Sequence, residues 1–511
     1  MSSSTDPADW IERAARNHPD RLFLTTPQGP RYDYAALRAE SGRVAAALRG
    51  LGVQVGDRVA VRVEKSPQAV LLYIACLRLG AAFVPVNIAC SPNEVEYFLN
   101  DSKPRVAVVD QADLALLEPV AQQSGVEHLL TLGADGDGTL MELARRSDAI
   151  SASERNVGPD SLAAIVYTSG TTGRSKGAML TRANLASNAA VLAESWRFTG
   201  EDVLLHVLPL FHVHGLFAAI NTVLASGSGM VLMPKFAAAA AVAQFASVTV
   251  FMGVPTHYTR LLQEAALDRA TTARMRLFVS GSAPLLAETH QEFSRRTGHQ
   301  ILERYGMTET LMNTSNPYEG ARVAGSVGPP LPGVAVRVIN ADTGVVEAAP
   351  ETIGTLEIKG PNVFAGYWQD EQKTRSEFAA DGWFKTGDLG RIDRNGYVYI
   401  VGRVKDLVIS GGYNVYPKEV ESELDAIPGV AESAVFGVPH PDFGEGVTAA
   451  VVLKAGASLS EADILNAVRP RLARYKLPKR ILLAAELPRN TMGKVQKNVL
   501  RAANASLYAT D

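Results

Sequence analysis

Residues 167–177 read YTSGTTGRSKG and follow an apolar run, Ala163–Tyr167, that predicts a buried strand. The segment combines hydroxyl side chains with three glycines and two cations. Glycines let backbone N–H groups approach a phosphate, hydroxyls donate further hydrogen bonds, and Lys176 adds a positive charge. The segment lacks the Gly-Lys-Ser/Thr ending of a Walker A loop. It therefore predicts a phosphate-binding loop of another type, and the alternative is an ordinary flexible loop.

Short apolar strands alternate with helical patterns on both sides of this loop. After the strand Arg58–Val63, Ser66 and Pro67 form a typical helix start, and Gly80 forms a typical helix end. The other strands predicted in this part are Ala82–Val86, Arg105–Val109, Ala163–Tyr167, Val203–Leu208, Met230–Met233, Val248–Phe251 and Leu277–Ser280. Alternation on this scale predicts parallel sheets covered by helices.

The pattern changes after about residue 320, where closely spaced strands such as Gly354–Lys359 and Tyr397–Val401 indicate an antiparallel β unit. From residue 407 the pattern is α+β, with elements near Pro417–Leu424, Ser433–Val438, Val447–Leu453 and Glu461–Leu472. We therefore predict an α/β protein whose large N-terminal domain, 1–402, contains parallel α/β subdomains and the antiparallel β unit. A hinge at 403–406 and a small, mobile α+β C-terminal domain, 407–511, complete the prediction.

Composition excludes several functional classes. A chain of 511 residues is too long for a single small binding module, and its formal charge of -3 gives no overall attraction for nucleic acid or anionic membranes. Two cysteines without zinc-ligand spacing favour a reducing compartment, and we expect the cytoplasm. The N-terminus lacks a signal-peptide pattern, and the longest apolar run, Ala69–Leu77, is too short to span a bilayer.

Four more motifs follow in order, namely RYGMTE at 304–309, WFKTGD at 383–388, GRVKD at 402–406 and PRNTMGK at 488–494. Together with the loop at 167–177, they resemble the adenylate-forming superfamily of acyl-CoA synthetases, nonribosomal adenylation domains and luciferases. The RYGMTE form, with its surroundings at 253–256 and 312–318, looks most like that of malonyl-CoA synthetases. Because the motifs cover essentially the whole chain, chance agreement is negligible.

The resemblance implies a ligase that activates a carboxylic acid in two steps. The acid attacks the α-phosphorus of ATP, which releases pyrophosphate and forms an acyl-adenylate, and the thiol of coenzyme A then displaces AMP. Two anions meet in the first step, so positioning and charge neutralisation dominate catalysis. The implied cofactors are ATP, Mg²⁺ and coenzyme A, and the implied acid is malonate or methylmalonate.

The resemblance also assigns roles to individual residues. Lys494 is implied to bridge the carboxylate and the α-phosphate, while Thr308 and the Mg²⁺ ligand Glu309 complete the catalytic set. Tyr305 is implied to stack on adenine and Asp388 to accept the ribose hydroxyls. The implied ATP-binding residues are Thr168, Ser169, Gly170, Thr171, Thr172, Gly173, Lys176, Gly281, Ser282, Ala283, Arg304, Tyr305, Gly306, Asp388 and Arg403. Without the motifs, Lys494 would be an ordinary surface lysine and Glu309 an exposed glutamate at a helix start.

Coenzyme A and the domain motion involve the C-terminal part. Gly411, Gly412 and Tyr413 resemble the stretch that borders pantetheine, and Lys405 is the predicted hinge residue. Acetylation of Lys494 would remove its charge, so a lysine acetyltransferase and a deacetylase are predicted partners.

The acid pocket is predicted from electrostatics. If malonate reacts through one carboxylate, the other stays ionised and needs a fixed cation in a pocket that excludes water. Arg260 is the candidate, because a guanidinium can hold a carboxylate with two hydrogen bonds, and a solvated helix arginine is the alternative. The resemblance places His212 and Met307 at the substrate, although His212 has a structural alternative. His212 and His214 supply only half a metal-ligand set, so no metal is predicted there.

Three alternatives to malonate activation stay open. The acid is alternatively oxalate or a short-chain fatty acid, or the adenylate is transferred to a carrier protein. The third alternative is a nucleotide-binding module without catalysis, against which the presence of both Glu309 and Lys494 argues.

Overall fold

The computed structural model describes residues 6–27, 29–150, 157–168, 175–340, 344–347, 349–490 and 493–508. Two compact units are present. The first comprises Met1–Ala335 and Ile358–Phe384, and the second comprises Val336–Glu357 and Lys385–Asp511.

The strands up to residue 315 are β1 Leu22–Thr25, β2 Arg31–Asp33, β3 Arg58–Arg62, β4 Ala82–Pro85, β5 Val106–Val109, β6 His128–Thr131, β7 Leu162–Thr168, β8 Lys176–Thr181, β9 Val203–His206, β10 Gly229–Leu232, β11 Val250–Gly253, β12 Leu277–Ser280, β13 Leu302–Met307 and β14 Leu311–Ser315. The α-helices of this part are α1 Pro7–Asn17, α2 Tyr34–Gly50, α3 Pro67–Leu79, α4 Pro92–Ser102, α5 Leu114–Gln123, α6 Thr139–Arg145, α7 Arg182–Ser195, α8 Ile220–Ser226, α9 Ala238–Gln244, α10 Pro255–Leu261 and α11 Ala287–Thr297.

The later strands are β15 Ala335–Ile339, β16 Val346–Glu347, β17 Gly354–Lys359, β18 Gly366–Tyr367, β19 Phe384–Ile392, β20 Val398–Arg403, β21 Val408–Ser410, β22 Tyr413–Val415, β23 Val430–His440, β24 Gly444–Leu453 and β25 Arg480–Ala484. The later α-helices are α12 Glu371–Glu377, α13 Pro417–Asp425, α14 Glu461–Val468 and α15 Lys497–Ala503. Short 3₁₀ turns cover Gln111–Asp113, Val404–Asp406 and Arg474–Lys476, and a π-helical turn covers His214–Ala219.

Two mixed sheets form the first unit. One has the strand order β14-β13-β12-β11-β9-β10-β1-β2, and β9 to β13 pair in parallel. The other has the order β18-β8-β7-β4-β3-β5-β6, in which β8 and β18 form an antiparallel edge. The carboxyl ends of parallel strands meet at one edge of a sheet, which is where open α/β sheets place their ligands.

Helix α3 shows how the sequence specifies these elements. Its N-cap Ser66 accepts a hydrogen bond from the amide of Ala69, Pro67 occupies the first turn, and Gly80 ends the helix in the left-handed conformation. Every residue of the helix is buried, as expected for a helix that covers a parallel sheet. The predicted helix and the adjoining strand, Ala82–Val86, are confirmed.

The second unit contains two sheets, with the orders β16-β15-β17-β19-β20 and β22-β21-β24-β23, and β25 adds to β24. Helix α13 packs against both β20 and β23, which groups the first of these sheets with the C-terminal residues. We predict that domains 1–402 and 407–511 move relative to each other about a hinge at 403–406. These limits and the hinge stay predictions.

The predicted fold class is confirmed, because parallel α/β layers precede an antiparallel sheet and an α+β region. Most predicted strands occur within two residues of their expected positions. The helix predicted at Glu461–Leu472 ends earlier, at Val468. Pro470 explains the difference, because proline disfavours helical backbone at the residue before it and cannot continue the hydrogen-bond ladder.

Candidate active site

The predicted phosphate loop joins β7 to β8 in the first unit. Thr168 at the end of β7 is the cross-strand partner of Lys176 at the start of β8, and both are half-buried. Burial and the nearby charge of Lys373 lower the pKa of Lys176. The predicted ligands Ser169, Gly170, Thr171, Thr172 and Gly173 lie outside the described residues.

Helix α4 anchors both strands that flank this loop. The Tyr97 hydroxyl donates to the Ser175 carbonyl at 2.7 Å, and the Tyr167 hydroxyl donates to the Asp101 carboxylate at 2.5 Å. Tyr97 and Asp101 are four residues apart and therefore lie on one helix face. The Asp101 carbonyl also accepts a hydrogen bond from the Trp368 indole at 3.0 Å. Sequence reasoning missed this anchor, although an aspartate in the last turn of a helix opposes the helix dipole and is a detectable signal.

Glu309 is buried between β13 and β14. Its Oε1 accepts a hydrogen bond from the Tyr367 hydroxyl at 3.0 Å and lies 3.5 Å from Oγ1 of Thr168. Thr308, the preceding residue, is half-buried. The structure therefore brings Thr168 and Glu309 together, as the motifs imply. Because Glu309 is buried, the alternative of an exposed glutamate at a helix start is wrong.

Buried amides hold the turn that carries Glu309. Asn362 donates to the Thr310 carbonyl at 2.6 Å and to the Asn313 side chain at 2.9 Å, and Asn313 donates to the Thr310 hydroxyl at 2.7 Å. Leu311 in the same turn has a φ of +52°, which is strained for a residue with a side chain. The network fixes a strained turn at the point where Glu309 projects.

Arg304 lies on β13, next to the turn that follows β12. Its side chain is buried, and its Nε and Nη2 atoms have no hydrogen-bond partner within the described residues. A Cβ at Gly281 would lie 2.5 Å from Cζ of this guanidinium, so a side chain there would displace it. Ser282 has a φ of +71°, and its Oγ lies 3.3 Å from Nδ1 of His214. Ala283, the next residue of the turn, is half-buried.

The electrostatics around Arg304 favour an anion. Burial lowers the pKa of His214 well below its usual value, and Arg304 adds to that effect. Burial also lowers the pKa of Arg304, to about 9, which leaves the guanidinium charged at neutral pH. His214 Nε2 has no partner among the described residues. A buried cation with unpaired donors is costly unless a ligand supplies acceptors, so the Arg304 guanidinium is suited to a carboxylate or phosphate oxygen.

The remaining residues of the RYGMTE motif follow Arg304 along β13. Tyr305, Gly306 and Met307 are half-buried, and the Tyr305 hydroxyl lies 4.0 Å from the Met307 sulfur. A bulge occurs between Tyr305 and Gly306. Bulges re-aim side chains next to active sites, which is consistent with a Tyr305 ring that faces a ligand.

The other predicted acid-site residues differ in exposure. His212 is half-buried, and its Nδ1 accepts a hydrogen bond from the His214 amide at 3.2 Å. Arg260 on α10 is exposed, close to His257, whose pKa burial and the Arg260 charge lower to about 3. Arg260 thus lacks the shielding from water that its predicted role requires. Its contact with substrate stays a prediction.

In the second unit, Asp388 and Arg403 are cross-strand partners on β19 and β20. Arg403 Nε lies 3.0 Å from Oδ1 of Asp388, and the aspartate is buried while the arginine side chain is 45% exposed. The Asp388 amide donates to the Thr386 hydroxyl at 3.0 Å. The two predicted nucleotide-binding residues therefore form one ion pair.

The other predicted residues of this unit lie on turns or at the start of a strand. Lys405 is exposed in the 3₁₀ turn Val404–Asp406. Gly411 and Gly412 both have positive φ and lead into Tyr413, which is 59% exposed and stacks on Tyr475 with ring centroids 4.8 Å apart.

Lys494 is half-buried at the end of the PRNTMGK motif. Asn490 and Lys494 exchange hydrogen bonds, since the Lys494 amide donates to the Asn490 side chain at 3.0 Å and the Asn490 amide donates to the Lys494 carbonyl at 2.9 Å. Thr491 and Met492 between them lie outside the described residues. These contacts fix the backbone of Lys494.

Groups of three or more His, Cys, Asp or Glu side chains suited to a metal are absent from the described residues. A cation at Glu309 would therefore need further oxygen ligands from a substrate. None of the helices in the described ranges has the length and hydrophobicity that crossing a bilayer requires.

Comparison with known families agrees with this geometry. Residues 11–368 match the AMP-binding enzyme family, and residues 419–494 match the AMP-binding enzyme C-terminal domain. The chain belongs to the AMP-binding enzyme family. The predicted resemblance to adenylate-forming enzymes is thereby confirmed.

Members of this family with similar sequences include malonate–CoA ligases. The mitochondrial malonate–CoA ligase ACSF3 of Mus musculus is 39% identical over 487 residues, which cover 88% of this chain and 82% of that protein. The malonate–CoA ligase of Arabidopsis thaliana is 34% identical over 535 residues, covering 95% and 87%. ATP-bound MatB from Rhodopseudomonas palustris has a TM-score of 0.95 and 53% identity, covering 98% of this chain and 99% of that one.

Proposed function

We propose that the protein is an ATP-dependent malonate:CoA ligase that forms malonyl-CoA through a malonyl-adenylate. Family membership and similarity to malonate–CoA ligases over most of both chains support this proposal. The single structural observation that carries the choice of a dicarboxylate is Arg304, a buried guanidinium whose Nε and Nη2 atoms have no partner among the described residues. An acid without a second charge would leave that cation uncompensated.

The reaction is balanced in two steps. In the first, a malonate oxygen attacks the α-phosphorus of ATP, and the bond between that phosphorus and the pyrophosphate oxygen breaks. In the second, the coenzyme A thiolate attacks the acyl carbon, and the bond between that carbon and the oxygen bridging it to phosphorus breaks. AMP leaves with the bridging oxygen, and the thiol proton passes to solvent. Both steps bring anions together, so the chain has to supply positive charge and fixed donors.

Residues of the first unit are proposed to bind the triphosphate and the acid. Lys176 and Thr168 flank the phosphate loop, and Tyr305 is the proposed adenine contact. Arg304, with Ser282 beside it, is proposed to receive the distal carboxylate of malonate, because it is buried and its Nε and Nη2 atoms have no partner among the described residues, whereas Arg260 is exposed. The prediction that Arg260 binds this carboxylate stays the alternative. The additional nucleotide contact that the RYGMTE motif implies for Arg304 stays a prediction.

A divalent cation fits the donors beside the loop. The Glu309 carboxylate and the Thr168 hydroxyl are hard oxygen donors 3.5 Å apart, and Mg²⁺ takes such ligands together with substrate phosphates. Glu309 would hold the ion, which would neutralise phosphate charge. Glu309 itself is kept in place by the hydrogen bond from Tyr367.

Residues of the second unit are proposed to serve the nucleotide and the thiol. Asp388 accepts the ribose hydroxyls, and the ion pair with Arg403 orients the Asp388 carboxylate. Lys494 supplies positive charge where carboxylate and α-phosphate react. Tyr413, with the preceding glycines, is proposed to border the pantetheine chain.

The test is ATP–pyrophosphate exchange across malonate, methylmalonate, oxalate, butyrate and a phenyl-substituted acid, followed by AMP release with coenzyme A. Malonate is expected to give the highest kcat/KM and to depend on coenzyme A for AMP release. A higher kcat/KM for a monocarboxylic acid would overturn the dicarboxylate assignment. Product formation only with a carrier protein would establish the carrier-loading alternative, and no exchange with any acid would indicate a non-catalytic nucleotide-binding protein.

Two finer proposals concern the cellular setting. Location in the cytoplasm is one, although the similar protein of Mus musculus is named as mitochondrial. Regulation by acetylation of Lys494 is the other, because acetylation removes the charge that the first step needs. Mass spectrometry that finds Lys494 acetylated in fully active protein would contradict the second proposal.

A further inference from the structure

Tyr367 contacts the two predicted phosphate-site residues of the first unit at once. Its hydroxyl donates to Oε1 of Glu309 at 3.0 Å, and the ammonium of Lys176 lies 5.8 Å from the centroid of its ring. The side chain is 7% exposed. None of the sequence motifs includes Tyr367, and its partner Glu309 is 58 residues away in the chain.

The backbone of Tyr367 is fixed independently of these contacts. It belongs to β18, where Tyr367 pairs with Ala178 of β8, and its ring packs edge-on against Phe364 with centroids 4.9 Å apart. The Tyr367 backbone amide is also held in place, because it donates a hydrogen bond to the Thr374 hydroxyl at 2.8 Å. The hydroxyl therefore projects from a rigid support toward Glu309.

The same segment holds the backbone of Glu309. The Phe364 amide donates to the Glu309 carbonyl at 2.8 Å, while Asn362 donates to the next carbonyl, that of Thr310, at 2.6 Å. Glu309 is thus held at its main chain by Phe364 and at its carboxylate by Tyr367. Two attachment points from one segment restrict both the position and the rotation of the carboxylate.

We propose that Tyr367 is a positioning residue, which orients the Glu309 carboxylate toward the divalent cation of the ligase and holds Lys176 beside it. This inference rests on the proposed function. Partners that orient metal ligands in this way typically contribute about 10- to 100-fold to metal affinity or activity. Contact between an ammonium and a ring face contributes a smaller amount.

Tyr367→Phe tests the hydroxyl alone, because it keeps the ring, the Phe364 packing and the Lys176 contact. ATP affinity is measured by calorimetry with Mg²⁺ and, in parallel, with EDTA, and Mn²⁺ binding in the presence of ATP is measured by electron paramagnetic resonance. We expect the affinity with Mg²⁺ and the Mn²⁺ affinity to fall about tenfold or more, and the EDTA value to change less than about twofold. Tyr367→Leu, which also removes the ring, is expected to weaken binding in EDTA by about two- to fivefold.

Tyr34→Phe is the matched control, since Tyr34 is another buried tyrosine of the first unit, and its hydroxyl donates to the Ser228 carbonyl at 2.8 Å. It should leave both ATP affinities unchanged. Equal losses with Mg²⁺ and EDTA in Tyr367→Phe, no loss at all, or the same losses in Tyr34→Phe would overturn the positioning role. Wild-type protein that binds ATP with Mg²⁺ but makes no malonyl-CoA would refute the proposed function and leave the Tyr367 result interpretable.

Discussion

The two units present their candidate site residues in different ways. In the first unit Glu309 and Arg304 are buried, and buried hydrogen bonds hold the turn that carries Glu309. In the second unit Lys405 and Tyr413 are exposed and Lys494 is half-buried. Lys405 lies in a 3₁₀ turn, and Tyr413 begins β22 directly after a turn.

This difference indicates a division of tasks. Buried, preorganised groups select ligands, because their positions cost nothing further when the ligand binds. Residues on exposed turns have few packing constraints and can change their surroundings between reaction steps. Asp388 is the exception in the second unit, since it is buried and paired with Arg403. Substitutions in the first unit are therefore expected to change specificity, and substitutions on the turns of the second unit are expected to separate the two half-reactions.

Arg304→Leu tests selection by the first unit and has the largest expected effect. Removing one partner of a desolvated charge pair costs roughly 2 to 5 kcal/mol, so malonate kcat/KM should fall about thirty- to several-thousandfold. Butyrate kcat/KM should fall much less, because butyrate has no distal carboxylate to pair with Arg304. The ligand-free variant should be at least as heat-stable as wild type, since it no longer buries a cation with unpaired donors.

Arg260→Leu is the control for this prediction. Arg260 is exposed, so its substitution is expected to leave the ratio of malonate to butyrate kcat/KM unchanged. Should Arg260→Leu invert that ratio while Arg304→Leu preserves it, the distal carboxylate would bind at Arg260 instead.

Lys494→Ala tests the division of half-reactions. The charge is needed only where carboxylate meets ATP, so adenylation should fall about a hundred- to a thousandfold. Thioester formation from supplied malonyl-adenylate should be retained. Rapid-quench measurement of each half-reaction provides the comparison, and a similar loss in both steps of a folded variant would remove the special role of Lys494 in the first.

Lys405→Pro tests motion of the second unit with a smaller expected effect. Proline fixes φ and removes an amide donor at the predicted hinge, so thioester formation should slow more than adenylation does. Lys405→Ala is the matched control, because it shortens the same exposed side chain without restricting the backbone. Equal rates for both steps in Lys405→Pro would eliminate the hinge.

The smallest expected effect concerns stability of the second unit. Burial raises the pKa of Asp425 to about 6, although the Ser433 hydroxyl donates to its carboxylate at 2.7 Å. A carboxylic acid whose pKa is raised in the folded state binds more protons when the protein is folded. Its contribution to the free energy of unfolding is therefore fully favourable below about pH 4 and is lost as the pH rises through about 6.

Asp425→Asn keeps the acceptor oxygen and removes the charge, so it should stabilise the second unit at pH 7.5 by about 1 to 3 kcal/mol and flatten its pH dependence between about 4 and 6. Hydrogen exchange of α13 amides in the full-length protein measures this effect. An unchanged pH profile would show that Asp425 does not control it.

The sequence by itself determined the layers of the fold and the chemistry of the motifs. Short β-branched strands, caps such as Ser66, and terminators such as Gly80 act within a few residues, so they can be recognised locally. The sequence assigned Thr168, Glu309, Asp388 and Arg403 separately to the nucleotide and its metal ion. The structure places Thr168 beside Glu309 and pairs Asp388 with Arg403.

Only the tertiary structure decided which cation is shielded and which groups hold the site together. Arg260 and Arg304 are both arginines near predicted ligand segments, and burial, which depends on distant strands, separates them. Tyr367 has no local signal, because its role depends on β18 pairing with β8 next to the turn of Glu309. Local patterns specify secondary structure, whereas burial and hydrogen-bond partners are set by contacts between residues far apart in the chain.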